Sequence, residues 1–227
     1  MTAGRAASYG HAMATTTIAS PSLRTAAGVC IAGGVLTAVA SIVTGVVTDR
    51  TSVSDDLFRY PFTSGAFVVF TLCGAVLHLM ILVGIVGLIR SGVAGDGRAA
   101  RIGGPLAAGG TALLFVAELL SLLVIDTAES AGSASAVGAV FGLATILATV
   151  GMLVLGVATL REGRWQDWRR FSPLLCGLIV LVIVPIQLTS ALWVGVGVYG
   201  LCFAALGVAL LREASPGAPA AVPARVA

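Results

Sequence analysis

Three polar side chains stand inside otherwise apolar stretches of this chain: His78, Glu118 and Gln187. An imidazole, a carboxyl and a carboxamide are groups with which a protein moves protons, holds cations or exchanges hydrogen bonds. Placing an ionisable group in hydrocarbon costs about 3 kcal/mol or more, so such a residue is a functional candidate by default. With about 1.5 Å of rise per helical residue, His78 lies about 18 Å from the boundary set by Arg90. Glu118 lies about 24 Å from Ile102, and Gln187 about 22 Å from Ser172. The expectation is one polar layer in the outer half of a bilayer. A carboxyl there favours its neutral form, and a neutral acid can carry a proton or act as a general acid. Pro185 adds to the local polarity, because it leaves a carbonyl near Leu181 for Gln187, Ser121 or water to meet. The bland alternative is that Glu118 hydrogen-bonds a neighbouring helix and His78 only packs.

Two further segments draw attention. The loop TDRTSVSDDLFRYPFTSG carries Asp55, Asp56, Arg59 and Tyr60, which can cap an outer mouth. Its aromatics Phe58, Tyr60 and Phe62 equally fit a belt at headgroup level, and that is the favoured expectation. The run RWQDWRRF places Arg164, Trp165, Trp168, Arg169 and Arg170 together and reads as a membrane-interface anchor directed at anionic headgroups. Gly195, Gly197 and Gly200 match G-x-G-x-x-G, but no strand precedes them and no acid stands about 20 residues on. Small residues at a helix contact explain them better, and Gly104/Ala108 and Gly138/Gly142 read the same way. Cys30, Cys73, Cys176 and Cys202 all fall within apolar runs, without the clustering that zinc requires. No metal and no cofactor are expected. Nucleic acid is not an expected partner, because topology accounts for the arginines.

The elements that must position these groups follow from composition. The chain has 227 residues, 58% hydrophobic and only 10% charged, with a mean hydropathy of +1.04. A soluble domain carries roughly 25% charged residues, so this surface must face lipid. Stretches of about 20 apolar residues span a bilayer as helices. They run from Ala26 to Thr48, Gly65 to Ile89, Ile102 to Ile125, Ala136 to Leu160, Ser172 to Leu188 and Ala191 to Leu211. The last two are the weakest of these, separated only by Thr189 and Ser190, and a broken or re-entrant fifth helix is an alternative. The expected fold is an all-α, polytopic transmembrane bundle of about six spans, with residues 24–212 as the membrane domain. Residues 1–23 and 213–227 read as flexible cytoplasmic tails.

Arginine supplies orientation, since the chain contains no lysine. Eleven arginines (5, 24, 90, 98, 101, 161, 164, 169, 170, 212 and 225) fall on one side, and only Arg50 and Arg59 on the other. That asymmetry predicts a multi-pass protein of a bacterial plasma membrane with both termini cytoplasmic. The even helices end alike, in LVGIVGLIRSG, LVLGVATLREG and AALGVALLREA, which suggests three hairpin repeats. Membrane lipids are the expected partners, with a second copy or another membrane protein as candidates. The leading functional expectation is a small transporter or transporter-associated subunit using Glu118. The alternatives are a structural or regulatory subunit, and an intramembrane enzyme acting on a lipid or isoprenoid with Glu118 as general acid.

Overall fold

A computed structural model describes residues 21–186, 189 and 191–215. Within them are six α-helices: α1 (Pro21–Thr48), α2 (Ser64–Ser91), α3 (Arg98–Ser121), α4 (Gly132–Glu162), α5 (Ser172–Ile186) and α6 (Leu192–Glu213). A short 3₁₀ turn, Trp168–Phe171, leads into α5. All six are long and apolar enough to cross a membrane, the fifth by counting that turn as Trp168–Ile186. Nineteen residues give a rod of about 28 Å, close to the hydrocarbon thickness of about 30 Å. The protein is therefore an integral, multi-pass membrane protein.

Its surface is the reverse of a soluble domain. Ile42 and Val194 are 68% and 69% exposed, and Val69, Ile146 and Val182 also point outward. Such a belt is compatible only with a hydrocarbon solvent.

Each helix packs against its neighbours in the chain, and α1 packs against α6, so the six close into a ring. The α3–α4 and α1–α6 contacts are the most extensive, and glycine makes them so. A Cβ on Gly34 would run into the α6 backbone at Gly200 and Ala204, and one on Gly110 into the α4 backbone at Ala144 and Ala148. Removing those side chains lets backbones approach as no larger residue permits. Gly197 faces Ser41 and Gly200 faces Gly34, so the G-x-G-x-x-G run is a packing surface. Gly104 meets Ile89. Gly138 and Gly142 differ from expectation: a Cβ on either would meet nothing within 4 Å, so they face outward rather than a neighbouring helix.

The repeated glycines also behave unevenly. Gly84 admits Cys30 of α1, Gly156 admits Leu174 of α5, and Gly207 admits Ile31 of α1. The shared spacing thus marks close approaches, but to differently placed neighbours. A different regularity is visible in the ring. Laying α1–α3 on α4–α6 maps the large α3–α4 contact onto α6–α1, and α1–α2 onto the similar α4–α5 contact. Because each half has three helices, the two halves run in opposite senses through the membrane.

The third span ends earlier than hydropathy predicts, at Ser121 rather than Ile125. Leu122, Leu123 and Val124 donate to carbonyls three residues back, a tightened turn that stops the helix. Of the expected tails, 21–23 belong to α1 and Glu213 to α6, while 1–20 and 216–227 lie outside the described residues.

Candidate functional site

The ring encloses a cavity of about 320 Å³ to which all six helices contribute. Its wall includes Thr44 of α1, His78 of α2, Glu118 of α3, Thr145 of α4, Ile183 of α5 and Trp193 of α6. His78 lies at the middle of α2, and the other five lie in the halves of their helices next to the α1–α2, α3–α4 and α5–α6 connections, the arginine-poor end. The other half is closed by a packed core of Cys30, Ile85, Leu88, Leu155, Leu206 and Leu210, each 1% exposed or less.

His78 and Glu118 converge. His78 Nδ1 lies 3.5 Å from Glu118 Oε1, and both side chains keep a minor share of their surface open to the cavity. The sequence arranges this by two local choices. Gly74 is one helical turn before His78, on the same face of α2. A Cβ there would lie only 2.9 Å from Glu118 Oε1, so the missing side chain makes the slot in which the carboxyl rests. Glu118 in turn sits one turn before the end of α3, facing α2. Gln187, the third expected member, lies outside the described residues.

Around this pair the polar wall is mostly hydroxyl. Thr37, Ser41, Thr44 and Thr111 each donate to a carbonyl of their own helix at 2.7–2.8 Å. Their hydrogens are thus committed, and what they offer the cavity is oxygen lone pairs. Two enclosed atoms of the same wall, His78 Nδ1 and Thr149 Oγ1, meet no hydrogen-bond partner among the described residues. Both atoms are themselves buried rather than exposed to the cavity. Aromatic rings complete the wall: Phe70, Phe141, Trp193, Tyr199 and Phe203. No arginine lines the cavity among the described residues, and Glu118 is its sole carboxyl.

Asp55, Asp56, Arg59 and Tyr60 are not part of this wall. They belong to a lid joining two connections. Arg59 Nε pairs with Asp126 at 3.0 Å, and Ser64 donates to the same carboxylate at 2.8 Å. The Glu129 N–H donates to the Asp56 carbonyl and the Phe58 N–H to Thr127, alongside a bridge between Leu57 and Ala128. The expected aromatic belt is largely turned inward. Phe62 stacks on Phe70 at 4.5 Å and is buried, Phe58 meets Phe67 edge-on, and only Tyr60 is exposed.

At the arginine-rich end the expected anchor divides. Arg164, Trp168 and Arg170 are exposed. Trp165, in contrast, is 1% exposed and does not reach an interface. It inserts into the closed half, with its indole N–H donating to Glu213 Oε2 at 2.9 Å. Burial leaves an indole N–H in need of a partner, and the end of α6 provides it. Arg169 joins the cluster, 2.9 Å from Asp167 and 3.5 Å from Glu213. The Arg169 hydrogen bond holds the Asp167 carboxyl below the usual carboxylate range. Arg212 lies over the Trp168 ring at 5.6 Å.

The cavity hydroxyls were not signalled by sequence, because a threonine bonded to its own helix looks like any other threonine in a span. Gly74 was detectable as a small residue four positions before His78. Compared with known protein families, with curated proteins and with solved structures, the chain matches none.

Proposed function

We propose that this protein is a small secondary transporter, in which Glu118 carries the proton that drives or exchanges with a solute. The observation that carries this reading is a cavity shared by all six helices, with an acid and an imidazole 3.5 Å apart in its wall. A subunit that serves only to pack has no need of a cavity with an ionisable pair in its wall. The packing plug below the cavity corresponds to one closed gate, and the arginine-poor half to the side from which the solute enters. Arginine asymmetry supports reading that side as the exterior and the plug as cytoplasmic. The oppositely directed halves, α1–α3 and α4–α6, supply the geometry that alternating access uses when one half rocks against the other.

One-sided accessibility tests the proposal. With the four native cysteines replaced, a cysteine at Thr145 should react with a membrane-impermeant thiol reagent added to the exterior, and not from the cytoplasmic side. Lack of reaction from both sides in a folded, membrane-inserted protein would overturn the transport reading.

A further inference from the structure

We propose that the solute is a small organic cation, an amine or quaternary ammonium bearing an apolar group, whose positive centre pairs with Glu118. This rests on the transport reading and names the chemistry of its cargo. Three observations converge on it. First, the charge of the wall has one sign: Glu118 is its sole carboxyl, and no arginine faces it among the described residues. Second, the hydroxyls of Thr37, Ser41, Thr44 and Thr111 have already donated their protons, so they present acceptors. A ring of acceptors suits a cation. The donors that remain in the wall are fewer and uncharged, the Trp193 indole N–H and the hydroxyls of Thr145 and Tyr199. Third, Phe70, Phe141, Trp193 and Tyr199 make the wall aromatic, the environment that suits a cation with an apolar substituent. The volume of about 320 Å³ falls at the small end of ligand pockets.

The exchange step balances. The step starts from Glu118 as a neutral acid. As the cation arrives, the carboxyl O–H bond breaks, the freed oxygen pair takes the cation, and the proton leaves to water through the cavity. Release of the cation reverses this, so one positive charge replaces another. The groups facing Glu118 are few. His78 and Cys73 come from α2, no titratable group comes from the lining part of α4, and Cys176 and Tyr199 close the far wall. His78 is the nearest of them, with Nδ1 3.5 Å from Glu118 Oε1.

The test uses the purified full chain in lipid nanodiscs, with benzyltrimethylammonium and its uncharged carbon isostere, neopentylbenzene, as probes. The quaternary cation has no dissociable proton, so any proton released comes from the protein. The cation should bind more tightly than the isostere and release up to one proton, and this release should diminish as pH rises and Glu118 is already ionised. Glu118→Gln should weaken the cation at least tenfold, remove proton release and leave neopentylbenzene unaffected. Should that variant fail to fold, the proton count and its pH dependence in the unaltered protein decide alone. Equal binding of both probes, or binding of the cation without proton release, would overturn the proposal. Absence of cation binding in a protein whose Thr145→Cys position still reacts from outside would overturn the cation assignment and spare the transport reading. Absence of that reactivity would overturn both.

Discussion

Two glycine-to-alanine substitutions should have opposite consequences, although each adds one methyl group to the ring. At Gly74 the new Cβ would lie 2.9, 3.1 and 3.3 Å from Oε1, Cδ and Oε2 of Glu118. Those atoms are the far end of a flexible side chain. They must retreat by about 0.5–1 Å to reach ordinary contact, and an altered rotamer costs about 1 kcal/mol. Replacing glycine by alanine inside a helix returns about 1 kcal/mol, so stability should hardly change. At Gly110 the Cβ would meet backbone, the Ala144 carbonyl oxygen and Ala148 Cα at 2.8 Å each. Backbone cannot step aside, and overpacking of that kind costs about 1–3 kcal/mol, of which the same helix gain offsets about 1. Function should divide the other way. A site held to within about 0.5 Å loses its geometry at Gly74→Ala, and the affinity for benzyltrimethylammonium should fall about tenfold, or about 1.4 kcal/mol. Thermal unfolding in detergent and a binding titration measure both quantities. The reasoning is refuted if Gly74→Ala destabilises the fold as much as Gly110→Ala, or if it binds the cation as the unaltered protein does.

Other predictions follow from the plug and the lid. Trp165→Phe removes one hydrogen bond to a carboxylate that retains Arg169, and should cost about 1–2 kcal/mol in thermal unfolding, whereas Trp165→Ala should cost about 3–5. Asp167 titrates below the ordinary carboxylate range because Arg169 holds its ionised form. Its stabilisation is therefore present above the unfolded value of about 3.9 and lost as pH falls through the lower folded one. The difference in stability between the unaltered chain and Asp167→Asn should be small and flat from pH 5 to 8, and should vanish only in strong acid. Arg59→Ala should loosen the lid by leaving Asp126 with Ser64 alone, accelerating amide exchange at Phe58 and Glu129 without altering cation affinity at equilibrium.

The sequence made the six spans readable because each is a long apolar run, and lipid leaves the backbone few alternatives. It failed where hydropathy is blind to geometry. Leu122 to Ile125 are as apolar as the helix before them, yet they form turns. Trp165 looked like Trp168, both aromatics amid arginines, and only the return of the chain over the end of α6 buries one and exposes the other. Gly138 and Gly142 have the spacing of a contact without the neighbour. For the site, His78 and Glu118 were legible from the cost of burying them, and their depths agreed. The wall around them was not, since Thr44, Thr145 and Thr149 acquire meaning only when six helices bring them to one cavity.

If Glu118 carries the proton that drives alternating access, its charge must bias which end of the ring is open. This is tested most directly with two reporter cysteines in an otherwise cysteine-free chain, Thr145→Cys in the cavity and Leu206→Cys in the plug. Each is labelled from each side of the membrane, with and without Glu118→Gln. The account predicts a reciprocal change: Glu118→Gln, fixed in the neutral form, alters the exterior reactivity at position 145 and the cytoplasmic reactivity at position 206 in opposite directions. Reactivities at both positions that do not respond to Glu118→Gln would contradict it, and would reduce the His78–Glu118 pair to a packing contact.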